Sequence, residues 1–239
     1  MPEDRLQKQK IIRMFSALFF SVAAAAIISK ISSVQVFQHW FPQGIENRWT
    51  SLFEKDAWQF VLAFMVIIIL SRGHLWSYGI RSDNLKRSMI FLAGMYGVTI
   101  LFYVTARAVH LPLTAEGISI HMNDRNSVLI FLIQWMSSPV ADQILFFSLV
   151  QSVLMKNNVS HASVFGIHLH FDVLIAALLF ALLHAGIPLT EIPELNFIAA
   201  CVVGIFSGYV YKNTTSVLTP MLGQAFFYGF PFFMKLLHV

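Results

Sequence analysis

Long apolar runs separated by short polar segments make up most of the chain. Seven of these runs are candidate membrane-spanning helices: 14–29, 57–70, 88–109, 127–155, 171–185, 195–211 and 217–237. A helix needs about 20 mainly apolar residues to cross the ~30 Å hydrocarbon layer of a bilayer. The second and fifth runs are shorter, so each must extend into flanking residues or enter the membrane only part of the way. The pattern predicts an all-α, polytopic transmembrane helix bundle of about seven spans, with six to eight left open.

The composition agrees with a membrane bundle. Hydrophobic residues make up 57% of the chain and charged residues 12%, whereas charged residues are about 25% of an ordinary soluble domain. Because the apolar runs recur along most of the 239 residues, we expect a single membrane domain over 1–239. The net charge of +4 is spread over the ends of the runs, so the expected partners include membrane lipids and exclude nucleic acid.

Basic residues flank the runs unevenly. Arg5, Lys8, Lys10 and Arg13 precede the first run, and assigning this end to the cytoplasm puts ten of the sixteen Lys and Arg residues on the inner side. Because cytoplasmic loops carry an excess of Lys and Arg, we expect a cytoplasmic amino terminus. The first run resembles a cleaved signal peptide as well as a retained helix, and the spans that follow favour the retained helix.

Asp142 is the one carboxylate among twelve that falls in the middle of a long apolar run. An acid in hydrocarbon costs roughly 2.5 kcal/mol or more, so it normally faces a polar cavity or a partner and indicates a functional site. The candidate partners lie downstream: His184 near the end of the fifth run, and Gln224 and Tyr228 one helical turn apart in the seventh. The sequence thus predicts a polar site built from several helices.

Each of these residues also has a purely structural interpretation. Asp142 could stabilise helix packing through neighbouring serine and glutamine side chains, and His184, just before Gly186, could cap the carbonyls of its helix. Gln224 and Tyr228 could join helices by hydrogen bonds. Their joint occurrence in the fourth, fifth and seventh runs favours a shared site over three separate packing roles.

Other catalytic chemistries find weaker support. The chain has no H-E-x-x-H motif and no Cys/His spacing for zinc; His161, His168 and His170 near the fifth run are a weak metal candidate. Ser207 lies in a G-x-S-G-like segment that loosely resembles rhomboid proteases, but no histidine follows it within a span to act as a base. Cys201 lies in an apolar run and is interpreted as a packing residue.

Three polar motifs follow one another in separate predicted helices. They are Asp142-Gln143-x-x-x-Phe147, Phe180-x-x-x-His184 and Gln224-x-x-x-Tyr228, and Pro139 stands just ahead of the first. In order and spacing they resemble the E-E-x-x-x-R, F-x-x-x-H and H-x-x-x-N motifs of the CPBP family. That family, also called Abi, includes CAAX prenyl endopeptidases and bacteriocin-processing enzymes. The resemblance assigns a CPBP-like core to residues 127–237.

The motifs depart from the family pattern at most positions. His184 matches, Asp142 keeps a shorter carboxylate, and Gln143 keeps a hydrogen-bonding group without charge. Phe147 replaces the arginine. At the third motif, amide and phenol groups stand where histidine and asparagine are expected.

The resemblance implies an intramembrane endopeptidase of the bacterial cell membrane that cuts membrane-embedded or lipid-modified peptides. In this interpretation Asp142 is the general base, His184 its partner, and Gln224 and Tyr228 the donors to the oxyanion. Gln143, Phe147 and Phe180 are the neighbouring residues that would support them. The resemblance leaves a metal cofactor open, without a clear ligand set.

A second hypothesis is a catalytically inactive homologue. Replacing both glutamates and the arginine together removes an ion pair as a unit, which avoids leaving a lone buried charge. Such a chain could act as a membrane-segment binder, a chaperone or a bacteriocin-immunity protein.

Both hypotheses require Asp142 and His184 to lie at the same depth in the membrane. Counted along the predicted spans, His184 lies near one end and Asp142 near the centre, so helix tilt or a partial span must bring them together.

Overall fold

The computed structural model describes residues 2–34, 48–81, 85–110, 135–157, 162–164, 167–184 and 193–236. These ranges contain seven main helices: α1 (Pro2–Ser32), α2 (Arg48–Ser71), α3 (Leu85–Ala108), α4 (Trp135–Lys156), α5 (Phe171–His184), α6 (Pro193–Thr214) and α7 (Leu218–Leu236). Each predicted run coincides with one of them, which confirms the all-α membrane bundle. Residues 127–134 of the fourth run lie outside the described residues.

The helices differ in their ability to cross a bilayer. By length and apolarity, α1, α3, α4 and α6 are candidate spans among the residues searched. α5 has only 14 residues and rises about 20 Å, less than the ~30 Å of hydrocarbon. In α2 the charged triplet 54–56 leaves a short apolar remainder, as the sequence indicated.

α4 is the central helix of the bundle. Its apolar window is 83% buried inside the protein, compared with 22% for α1 and 28% for α3. α1, α2, α5 and α6 all pack against it, α5 packs along α6, and α3 packs along α7. A polar side chain on α4 therefore finds its partners in the protein rather than in lipid.

α4 also departs from regular α geometry. A π-helical stretch, Gln143–Gln151, begins directly after Asp142, and all nine of its residues are buried. Stretches of π geometry occur frequently at functional sites because they re-aim side chains. Pro139 lies in the preceding α-helical turns, so the change of geometry begins after the proline that the sequence singles out.

The Gly204 and Gly208 pair of α6 faces α5. A Cβ on Gly204 would lie 3.0 Å from the Cα of Ala177, and one on Gly208 would lie 2.9 Å from Cγ1 of Val173. The glycines thus allow two helices of the same bundle to approach closely. This packing agrees with the use that we expect of a G-x-x-x-G pair within a bundle.

Two small elements join the helices. A 3-10 helix, Leu75–Tyr78, links α2 to α3 and ends at Gly79, whose φ of 75° and closeness to the Tyr211 ring both favour glycine. An antiparallel hairpin of β1 (Ala162–Val164) and β2 (Ile167–Leu169) precedes α5. The apolar-run pattern does not predict this hairpin.

Candidate active site

The Asp142 carboxylate accepts hydrogen bonds from side chains of three helices. It lies where the π-helical stretch of α4 begins and is 3% exposed. Its Oδ1 accepts from Nε2 of Gln59 in α2 at 3.1 Å, and its Oδ2 accepts from Nε2 of Gln224 in α7 at 3.0 Å. Ser138, one turn earlier in α4, donates to Oδ2 at 3.5 Å. Such donors offset the cost of burying a charge.

His184 of α5 completes the group around Asp142. Its Nδ1 lies 3.3 Å from Oδ2 of Asp142. The depth mismatch expected from the sequence is resolved by the length of α5: because this helix is too short to cross the bilayer, its last residue can lie beside the middle of α4. The structure thus brings Asp142, His184 and Gln224 into direct contact.

The amide of Gln224 has a fixed direction. Its NH₂ group donates to Oδ2 of Asp142, so its carbonyl oxygen is turned away from the carboxyl group. That carbonyl accepts from Nε2 of Gln143 at 2.6 Å. Oε1 of Gln143 is then buried and has no hydrogen-bond partner in the described part of the chain. Within those residues, Gln143 is linked to Asp142 through Gln224.

The ring of Tyr228 packs near the ring of His184. The ring centroids of His184 and Tyr228 lie 5.4 Å apart, and the ring of Phe180 stacks on that of His184 with centroids 4.8 Å apart. Nε2 of His184 and Oη of Tyr228 are both buried and have no partner among the described residues. Because buried polar groups are nearly always hydrogen-bonded, often to water, these two atoms indicate a place for a water molecule or a ligand.

Aromatic packing fills the position of the missing arginine. Phe147 is fully buried, and its ring centroid lies 6.2 Å from that of Phe180. Next to it, Gln143 and Gln224 pair as neutral amides. Among the described contacts, the titratable side chain in direct contact with Asp142 is the imidazole of His184.

The donor set does not fit a metal ion. Within the searched part of the chain, no three His, Cys, Asp or Glu side chains converge on one point. Asp142 and His184 supply two ligand types, but they face each other, and the remaining neighbours are amides and hydroxyls. The histidines near the fifth run are a weaker candidate for a metal site. There, Nδ1 of His170 lies 2.9 Å from Nζ of Lys212, and this ammonium group would repel a metal cation. His161 lies outside the described residues.

A second polar group lies further along α4. Nε2 of Gln151 donates to the carbonyl oxygen of Gly208 at 3.0 Å and lies 3.4 Å from Asp172. Asp172, fully buried in the first turn of α5, pairs with Lys212 at 2.9 Å. Ser207, the serine candidate, is buried and has no hydrogen-bond partner among the described residues, which leaves it without a base.

Sequence reasoning missed Gln59 and Asp172. Gln59 stands three residues after Asp56 near the start of a predicted span, so both polar groups share one helix face. Asp172 opens the fifth run, where an acid is also favoured by the helix dipole. The spacing of Gln59 and the position of Asp172 are both visible in the sequence, but neither shows which residue the side chain contacts.

This region of the chain matches a known family model. Residues 124–230 match the model described as type II CAAX prenyl endopeptidase Rce1-like. The match contains all three polar motifs and excludes α2 with Gln59. It confirms the resemblance that the motifs predict, which is to intramembrane proteases of the CAAX type. No curated protein and no solved structure matches the chain.

Proposed function

We propose that this integral membrane protein, whose residues 124–230 are Rce1-like, is an intramembrane endopeptidase with an altered active site. Its substrates would be membrane-embedded or lipid-modified peptides. The observation that carries the proposal is the contact between Asp142 and Nδ1 of His184, with Nε2 of the same ring buried and without a hydrogen-bond partner among the residues that the structure describes. An imidazole held in this way is suited to move a proton.

We assign the general base to His184 rather than to Asp142. A carboxylate that accepts the Nδ1 proton leaves the lone pair of Nε2 free, and it stabilises the imidazolium that forms when Nε2 takes a proton. Asp142 already accepts from Gln59, Gln224 and Ser138, so its oxygens are occupied. Asp142 therefore orients His184, which reverses the two roles expected from the sequence.

The reaction uses Nε2 of His184 and Oη of Tyr228, which both lack a hydrogen-bond partner within the described ranges. Nε2 of His184 removes a proton from a water molecule as the water oxygen bonds to the peptide carbonyl carbon. The carbonyl electron pair moves to oxygen, and Oη of Tyr228 donates a hydrogen bond to that oxyanion. His184 then returns the proton to the amide nitrogen as the C–N bond breaks. Gln224, engaged with Asp142 and Gln143, holds the carboxylate instead of the oxyanion.

The test is cleavage of a defined probe by purified protein in liposomes. The probe is a prenylated peptide with a CAAX end and a fluorophore and quencher on either side of the expected cut. Asp142→Ala and His184→Ala should each lower kcat by about 10²- to 10⁴-fold, because each removes the proton-transfer pair. Gly94→Ala, in open space on α3, should cleave like the wild type.

Loss of folding is separated from loss of chemistry by a second variant. Asp142→Asn keeps the size of the side chain, so its thermal unfolding should stay near that of the wild type while cleavage is lost. Wild-type rates in Asp142→Ala and His184→Ala would refute the proposed dyad. Absence of cleavage by folded wild-type protein would favour the second candidate.

The second candidate is an inactive homologue that binds or protects membrane segments. The observation in its favour is that Phe147 packs on Phe180 where the family has its arginine, beside the neutral pair of Gln143 and Gln224. Under this hypothesis Asp142→Ala and His184→Ala leave a cellular phenotype, such as bacteriocin protection, intact. Bulky changes at Gly204 or Gly208 would abolish it. The opposite pattern would support the enzyme.

We further propose a cytoplasmic amino terminus in a bacterial cell membrane, with the whole chain as one membrane domain. Support comes from two basic residues, Lys156 and Arg87, that contact residues in or next to the segments joining the helices. Lys156 donates to Ser77 at 3.1 Å, and Arg87 donates to Asn213 at 3.2 Å. In a Cys201→Ser background, a cysteine at Lys86 should react with an impermeant thiol reagent only after cell lysis. Labelling of intact cells would contradict this orientation.

A further inference from the structure

We propose that Gln59 is a positioning residue for the reaction, so that α2, which lies outside residues 124–230, is part of the active site. This inference rests on the proposed function, because the role assigned to Gln59 is to orient Asp142 toward His184. The experiment is chosen so that the two proposals can fail separately.

Two hydrogen bonds fix α2 against α4 at the level of the site. Nε2 of Gln59 donates to Oδ1 of Asp142 at 3.1 Å, and both side chains are almost fully buried. Oγ of Ser137 donates to Oδ2 of Asp56 at 3.3 Å. Because Asp56 and Gln59 are three residues apart, they lie on one face of α2. The pair of contacts sets both the rotation and the height of α2 on α4.

The bond from Gln59 controls which oxygen of Asp142 meets the histidine. A carboxylate can rotate about its Cβ–Cγ bond, and each rotation changes the direction of its lone pairs. With Oδ1 held by Gln59, Oδ2 is directed at both Nδ1 of His184 and Nε2 of Gln224. Without Gln59, Oδ1 would be a buried acceptor without its donor, and the carboxylate would turn to share its remaining donors.

The same contact keeps His184 in the useful tautomer. Nε2 of His184 can act as a base only while the ring proton sits on Nδ1. That proton stays on Nδ1 because Oδ2 of Asp142 accepts it at 3.3 Å. In metal sites, hydrogen-bond partners that orient a ligating side chain are commonly worth about 10- to 100-fold in activity, and we expect an effect of the same order for a partner that orients Asp142. Gln59 has this position relative to Asp142.

The test is Gln59→Met, which keeps the length of the side chain and removes the donor. With the prenylated peptide probe in liposomes, kcat should fall by about 10- to 100-fold while KM stays within about twofold, because orientation and not substrate binding is lost. The matched control is Gln151→Met, which removes a buried glutamine donor in the second polar group. The control should keep the wild-type kcat at a similar loss of thermal stability.

A second readout does not depend on cleavage. ¹⁵N NMR of histidine-labelled protein distinguishes the two imidazole tautomers, and a His184→Gln spectrum identifies the His184 signals by difference. The fraction of the Nδ1–H tautomer should fall in Gln59→Met and stay at the wild-type level in Gln151→Met. A merely structural role of Gln59 would not move this fraction.

The outcomes separate the two proposals. A tautomer change in Gln59→Met together with an inactive wild type would refute the proposed function and support the positioning role. Unchanged tautomers, or a kcat no lower than that of Gln151→Met, would overturn the role of Gln59 even if the wild type cleaves the probe.

Discussion

Asp142 acquires its role from the donors that surround it. Three helices supply hydrogen bonds to its two oxygens, and a fourth supplies the imidazole. A buried charge held by several donors stays in one orientation, which a catalytic dyad requires. The sequence could predict that Asp142, His184 and Gln224 meet, because an acid in a membrane needs partners. It could not predict the directions of the amides, since these follow from the packing.

The role of Tyr228 is tested by removing its hydroxyl. Because Oη is buried without a partner among the described residues, Tyr228→Phe should leave thermal unfolding unchanged. If Oη stabilises the oxyanion, kcat should fall by about 10²- to 10³-fold. The measurement is peptide cleavage in liposomes beside a thermal unfolding curve. Full activity in Tyr228→Phe would remove this residue from the mechanism.

At the scale of the helices, close approach between α5 and α6 positions His184. The spacing of Gly204 and Gly208 predicts such an approach, and the structure identifies α5 as the partner helix. The hairpin before α5 and the π-helical stretch of α4 were not predictable in the same way. An apolar run indicates where a helix lies, whereas local departures from α geometry depend on contacts with neighbouring helices.

A larger side chain at the contact between α5 and α6 should lower the stability of the bundle. In Gly208→Leu, the first added atom alone would lie 2.9 Å from Cγ1 of Val173, so overpacking should lower the free energy of unfolding by about 1–3 kcal/mol. Gly94→Leu is the matched control, because a Cβ there meets nothing within 4 Å. Thermal unfolding in detergent compares the two. Equal stability of both variants would contradict the α5–α6 packing described above.

Across the whole molecule, α4 carries two polar groups separated by an aromatic layer. The first contains Asp142, and the second contains Gln151 with the buried Asp172–Lys212 pair. Phe147 and Phe180 lie between them. The sequence predicted the seven helices and the three motifs, whereas α2 as a wall of the site emerges only from the fold. Gln59 and Asp142 are 83 residues apart, and only tertiary packing brings them into contact.

The central proposal is that this site activates water for peptide hydrolysis. The direct measurement is mass spectrometry of the prenylated peptide after incubation with wild-type protein in H₂¹⁸O. We expect one ¹⁸O atom in the new carboxyl group of the product, and no product above background with His184→Ala. An intact peptide with folded wild-type protein, or the same labelled product with His184→Ala, would contradict the account.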